Sequence, residues 1–127
     1  GSDTRVLTIM EEMAESMGST VYRLDSEQRK YLHLAAVFAC NFTNHCYAIA
    51  EELLRIHAIP FEVMLPLIDE TARKGHEISP SQAQPGPAVR YDKNVICAQS
   101  DLLSEHPYLQ EIYHLMSQNI HRKYSTT

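Results

Sequence analysis

The chain has 127 residues, enough for one domain with a real core, and its 44% hydrophobic content is ordinary for a globular protein. A formal net charge of −5 argues against a nucleic-acid binder, which normally carries a basic face, and no uninterrupted apolar run is long enough to span a bilayer. Cys40, Cys46 and Cys97 form no C-x-x-C and read as free thiols in a reducing cytoplasm, and the histidines show no zinc-ligand spacing, so no metal is expected.

Gly1-Ser2 reads as a scar left by tag removal, so the natural chain is expected to extend further towards the N-terminus. Asp3 to Met17 has apolar residues at helical spacing, with Asp3 as N-cap and Gly18 as the stop. Thr20 to Leu24 is a short β-rich run, and one strand needs a sheet to join. No other segment reads as a strand. The pair is therefore either the last helix and strand of an α/β domain whose remainder lies elsewhere, or a helix and an extended segment packed on the following helices.

Asp25 to Gln28 is a capping box, and the helical pattern then runs without a breaker to about His57. Within it, Tyr31 to Leu54 is apolar on nearly every side, as in a helix buried at the centre of a bundle. It nevertheless carries His33, Asn41, Asn44 and His45. At about 100° per residue the first three fall within roughly an 80° arc, with His45 at its edge. Pro60 ends this helix and opens a second, near Phe61 to Glu77, which Pro66 should kink or shorten by its first turn. Ser79-Pro80 can start a single turn through Gln84, and Pro85-Gly86-Pro87 forbids regular structure. Asp92 caps a helix near Lys93 to Ser104. Pro107 starts the last helix, to about Lys123, with Leu109, Ile112, Tyr113, Leu115, Met116 and Ile120 inward. The tail from Tyr124 should fray.

Two constellations could carry chemistry. The stripe His33, Asn41, Asn44, His45 is either a set of inward polar groups bonding neighbouring helices or a row of donors and acceptors lining a cleft. Histidine and asparagine both suit a carbonyl or hydroxyl substrate, and histidine can also transfer a proton. Glu51 continues the line, or with Glu52 marks the helix emerging into solvent. In Gln84 to Asp92, Arg90 offers a planar fork for a carboxylate or phosphate, unless it pairs with Asp92 or another acid. Cys40 and Cys46 lack an activating base one turn away. The chain contains no glycine-rich phosphate loop.

Three ordered blocks, Leu32–His45 (LHLAAVFACNFTNH), Pro66–Lys74 (PLIDETARK) and Pro85–Asp92 (PGPAVRYD), resemble one family. It is the domain of unknown function numbered 2520, the helical C-terminal domain that follows a Rossmann-like domain in bacterial proteins predicted to be NAD(P)-dependent oxidoreductases. The resemblance spans about Leu24 to Ile120. Pro85 departs from it, standing where Thr would precede Gly-Pro-Ala, and Cys46 replaces a larger aliphatic residue.

The resemblance implies a mainly all-α fold, a helical bundle around one long central helix over residues 25–57. Its architecture would be similar to that of pyrroline-5-carboxylate reductase, ketopantoate reductase and 6-phosphogluconate dehydrogenase. Residues 1–24 would be the last helix and strand of a truncated Rossmann domain. Residues 25–127 would be the helical substrate and dimerisation domain. In such enzymes NAD(P) is held by the Rossmann domain, so this chain alone is expected to bind no cofactor and to be inactive. Carried over, His33 and His45 would orient or protonate a small-molecule substrate, Asn41 and Asn44 would hold its oxygen, and Arg90 would bind an anionic group. The expected partners are a second copy of the chain and the Rossmann domain in cis, in the cytoplasm, with no nucleic acid or membrane. The alternative is a non-catalytic helical interaction or dimerisation module.

Overall fold

A computed structural model describes residues 24–124. The described chain is mainly all-α, with no strand among the described residues. The helix expected over Asp3–Met17 and the strand over Thr20–Leu24 lie outside the described residues, Leu24 excepted. The chain divides into two compact units, Gly1–Phe61 and Glu62–Thr127.

In the first unit, α1 (Ser26–Ala36) starts at the expected capping box. The Gln28 amide donates to Asp25 Oδ1 at 2.7 Å, and the Asp25 amide donates back to Gln28 Oε1 at 3.0 Å. Two orphan amides of the first turn are thereby satisfied. The sequence predicts one α-helix onward to His57. Instead, Val37–Phe42 is a π-helical turn, and α-helix resumes as α2 (Thr43–Ile56). A π-turn bonds each residue to one five positions along, so it holds one residue more per turn than an α-helix. The Thr43 hydroxyl donates to the Phe38 carbonyl, five residues back, at 3.1 Å, and Phe38 and Phe42 pack edge to face with ring centroids 5.0 Å apart.

Helix α2 ends before Pro60 by a device of its own. The Ile59 amide donates to Leu54 O and the Ala58 amide to Arg55 O, with Ala58 left-handed at φ 56°. This is a Schellman motif with alanine in the position that glycine usually fills. Burial along this run differs from the sequence expectation. Ala36 is buried, but Tyr31, Leu34, Phe38 and Phe42 remain 49–66% exposed.

In the second unit, Pro66 splits off the first turn as expected, leaving a 3₁₀ turn (Phe61–Met64) ahead of α3 (Leu65–Glu77). Arg73 forks onto Glu70, with Nε at 2.9 Å and Nη2 at 2.5 Å from its two oxygens, and also pairs with Glu77. Two single turns follow, α4 (Pro80–Ala83) and α5 (Pro87–Arg90), so Pro87 starts a helical turn where irregular chain was expected. Helix α6 (Lys93–Leu102) is capped by Asp92, whose Oδ1 accepts from the Val95 amide at 3.3 Å. Helix α7 (Pro107–Tyr124) closes the unit.

The core of this unit is small and built from Ala88, Ser100 and Leu103. Ser100 ties α6 to α7. Its hydroxyl lies 2.7 Å from His114 Nε2, and its carbonyl accepts from Gln110 Nε2 at 2.8 Å. Tyr113 donates to Gln99 Oε1 at 2.7 Å on the same seam. Tyr124, expected to fray, is helical, and its hydroxyl donates to the Ser81 carbonyl at 2.6 Å. Leu115 and Met116, expected inward, are 68% and 51% exposed. They fall on the far side of α7 from the Gln110–His114 line that meets α6.

Candidate functional site

The π-turn changes the geometry of the polar stripe. One extra residue makes everything beyond it lag by about 100°. On an unbroken α-helix His45 would stand about 120° from His33, and Asn44 about 20°. With the lag, His45 turns to roughly 20° from His33 and Asn44 to roughly 80° on the opposite side. Glu52 takes the place on this line that Glu51 would otherwise hold. Glu51 is instead paired with Arg55, Oε1 to Nη2 at 3.4 Å.

Asn41 lies in the π-turn itself, half-buried, and its Oδ1 is shielded from solvent with no hydrogen-bond partner. Such an unpaired group costs about 1–3 kcal/mol. His33, Asn44 and His45 are exposed. His33 and His45 are twelve residues apart, about 18 Å along the axis, so they cannot both touch one reacting atom. Asn41 and His45 are one turn apart, about 6 Å, close enough to contact one small group. The structure therefore groups Asn41 with His45 and sets His33 apart.

Arg90, the fifth candidate, belongs to the other unit and closes α5. Its side chain makes no ion pair among the described residues, and Asp92, the partner considered from sequence, is used as the cap of α6. Two unusual backbone conformations bracket Arg90. Gly86 has φ 111° and ψ 170°, a region essentially closed to side chains, and Tyr91 is left-handed at φ 50°. The Tyr91 amide donates to Ala88 O and the Asp92 amide to Pro87 O, a second Schellman closure with a non-glycine residue at its turning point. A left-handed tyrosine costs about 1–2 kcal/mol.

Tyr91 also borders a cavity of about 320 Å³ that the sequence reading missed. The His121 ring stacks on it, with centroids 4.1 Å apart and planes at 20°, and the Lys93 ammonium sits 5.4 Å from the Tyr91 centroid. The rest of the wall is Ile96 from α6 and His114, Ser117, Gln118 and Arg122 from α7. These positions have a readable signal. Residues 114, 117, 118 and 121 follow the i, i+3, i+4, i+7 rule and form a polar stripe, overlooked because the last helix was judged by its apolar residues.

Among the described residues no three His, Cys, Asp or Glu side chains converge as metal ligands. No described helix is long and apolar enough to cross a membrane.

Comparison with known proteins gives the family. The chain is similar in structure to a Bacteroides fragilis protein described as a putative NADP oxidoreductase, with a TM-score of 0.79 and 60% sequence identity. The match covers 82% of this chain and 40% of that protein, so the chain spans about two fifths of its relative's length. No curated protein matches. The model of the domain of unknown function DUF2520 matches residues 1–120, nearly the whole sequence, and the chain belongs to that family.

Proposed function

We propose that this chain is the substrate-side and dimerisation part of an NADP-dependent oxidoreductase whose cofactor is held by a Rossmann-like domain in cis, outside this sequence. The observation that carries the reading is the 60% identity to the Bacteroides fragilis protein over 82% of this chain. The chain's own chemistry supports the division of labour. It has no glycine-rich loop to cradle a diphosphate, so residues here fit the substrate and not the cofactor.

The helical run Ser26–Ile56 then serves as the long central helix of the assembled enzyme. Asn41 and His45 face the substrate oxygen, Asn41 as a hydrogen-bonding partner and His45 as the group that orients or protonates it. Asn44, turned aside by the π-turn, and His33, three turns away, border the same cleft. Arg90 takes an anionic group of the substrate. The hydride chemistry is supplied by the nicotinamide when bound. The exposed faces of Tyr31, Leu34, Phe38 and Phe42 are covered by a second copy of the chain.

Fluorescence titration with NADPH tests the reading. The full-length protein should bind, and this chain alone should not. Tight binding by the isolated chain would overturn it. Light scattering at tens of micromolar should return a dimer for the full-length protein, on a roughly micromolar affinity scale.

A further inference from the structure

The cavity beside Tyr91 plays no part in the oxidoreductase reading and stands independently of it. Its polar lining is two imidazoles, a guanidinium, a phenol, a hydroxyl and a carboxamide, with no carboxylate in it among the described residues, in a chain whose net charge is −5. The two imidazoles are held by different devices. His114 is fixed through Nε2 by the buried Ser100 hydroxyl at 2.7 Å, and His121 is fixed by its stack on Tyr91. Between them, Ser117 and Gln118 make no side-chain hydrogen bond among the described residues, so their donors are available to a ligand. Lys93, with its ammonium 5.4 Å from the centroid of the Tyr91 ring, brings a permanent cation beside this wall. Donors set on a rigid helix face and oriented by separate ties are what a pre-organised anion site requires.

We infer that this cavity binds a small oxyanion, the phosphate or carboxylate group of a metabolite. Ser117 and Gln118 donate to its oxygens, His114, His121 and Arg122 wall it in, and Lys93 adds positive charge beside Tyr91. The volume, about 320 Å³, is at the lower end of small-molecule sites and suits a compact ligand.

The test is an NMR titration of the 127-residue chain at constant ionic strength, with inorganic phosphate in one arm and acetate in the other. The expected result is saturable shifts of the Ser117 and Gln118 amides and of the His114 and His121 rings, with a roughly millimolar Kd in at least one arm. The tighter arm identifies the anionic group. Gln118→Glu keeps the side chain's shape at an exposed position and places a negative charge in the cavity, so it should weaken binding by about tenfold or more. Lys93→Gln should weaken it by about threefold. Non-saturating shifts in both arms, or unchanged affinity in Gln118→Glu, would overturn the assignment. NADPH binding is not involved in either arm, so this test and that of the oxidoreductase reading fail separately.

Discussion

The two units of the chain are held together in different ways. In the described part of the first, every side-chain hydrogen bond is local: the Asp25–Gln28 box, Arg29 to the Leu24 carbonyl, and Thr43 to Phe38. Tyr31, Leu34, Phe38, Phe42 and Ile56 stay about half or more exposed, while Leu32, Val37, Ile49, Leu53 and Leu54 are partly buried. The second unit has ties between helices, at Ser100–His114, Gln110–Ser100, Tyr113–Gln99 and Tyr124–Ser81. Hydrogen bonds within one helix set its ends but do not fix its place against anything else. The second unit thus carries tertiary ties of its own, while the described part of the first shows hydrogen bonds only within one helical run.

The sharpest way to break this contrast is to attack the small core of the second unit. Leu103→Ala deletes the one buried large aliphatic side chain among its described residues and should cost about 2–5 kcal/mol in urea denaturation. A loss below about 1 kcal/mol would mean that the second unit is as loosely specified as the first. Gly86→Ala probes the backbone of the same unit. A Cβ there meets nothing within 4 Å, so the expected loss of about 1–3 kcal/mol is wholly conformational.

In the first unit the effects should be smaller and confined. Asp25→Ala removes the capping box and should cost about 0.5–2 kcal/mol, with faster amide exchange in the first turn of α1 and little change beyond the π-turn. The smallest effect is a pH dependence on the exposed face of α3. The hydrogen bond from Arg73 holds the Glu70 carboxyl below its ordinary value of 4.5, against a partial opposing effect of desolvation. A depressed carboxylate contributes stability that is present above 4.5 and is lost as pH falls through the lowered folded value. Helicity followed by circular dichroism from neutral to acid pH should therefore fall slightly more in the native chain than in Glu70→Gln.

Most helix boundaries were legible in the sequence because their causes are local. Asp25 with Gln28, Pro66, Asp92 and Pro107 each act within one turn of themselves. The π-turn was not legible. It shifts hydrogen bonding by one position and uses no glycine or proline to announce itself. The end of α2 was read as the work of Pro60, since Ala58 gives no sign of a left-handed turn.

Burial was misread where it depends on neighbours outside one helix. Leu102 and Leu103 are equivalent in sequence, yet one is 80% exposed and the other 8%. Of the candidate residues, His45 gained the direction of His33 and Asn44 lost it, while the distance along the axis leaves Asn41 beside His45 and His33 about three turns away. The cavity of α7 escaped because its tie to Ser100 joins residues fourteen positions apart.

The π-turn also makes the direction of α2 separable from its composition. Deleting one residue between Val37 and Phe42 would restore plain α-helical bonding. Because the turn already absorbs one extra residue, the distal half would keep its direction, with His45 about 20° from His33 and Asn44 about 80° to the other side. Asn44 and Glu51 would come under His33 only if the turn tightened to plain α-helix with every residue kept, which rotates the distal half by about 100°. The hydrogen-bonding pattern of one turn acts here as a selector, choosing which of two sets of side chains the same helix offers to the same side.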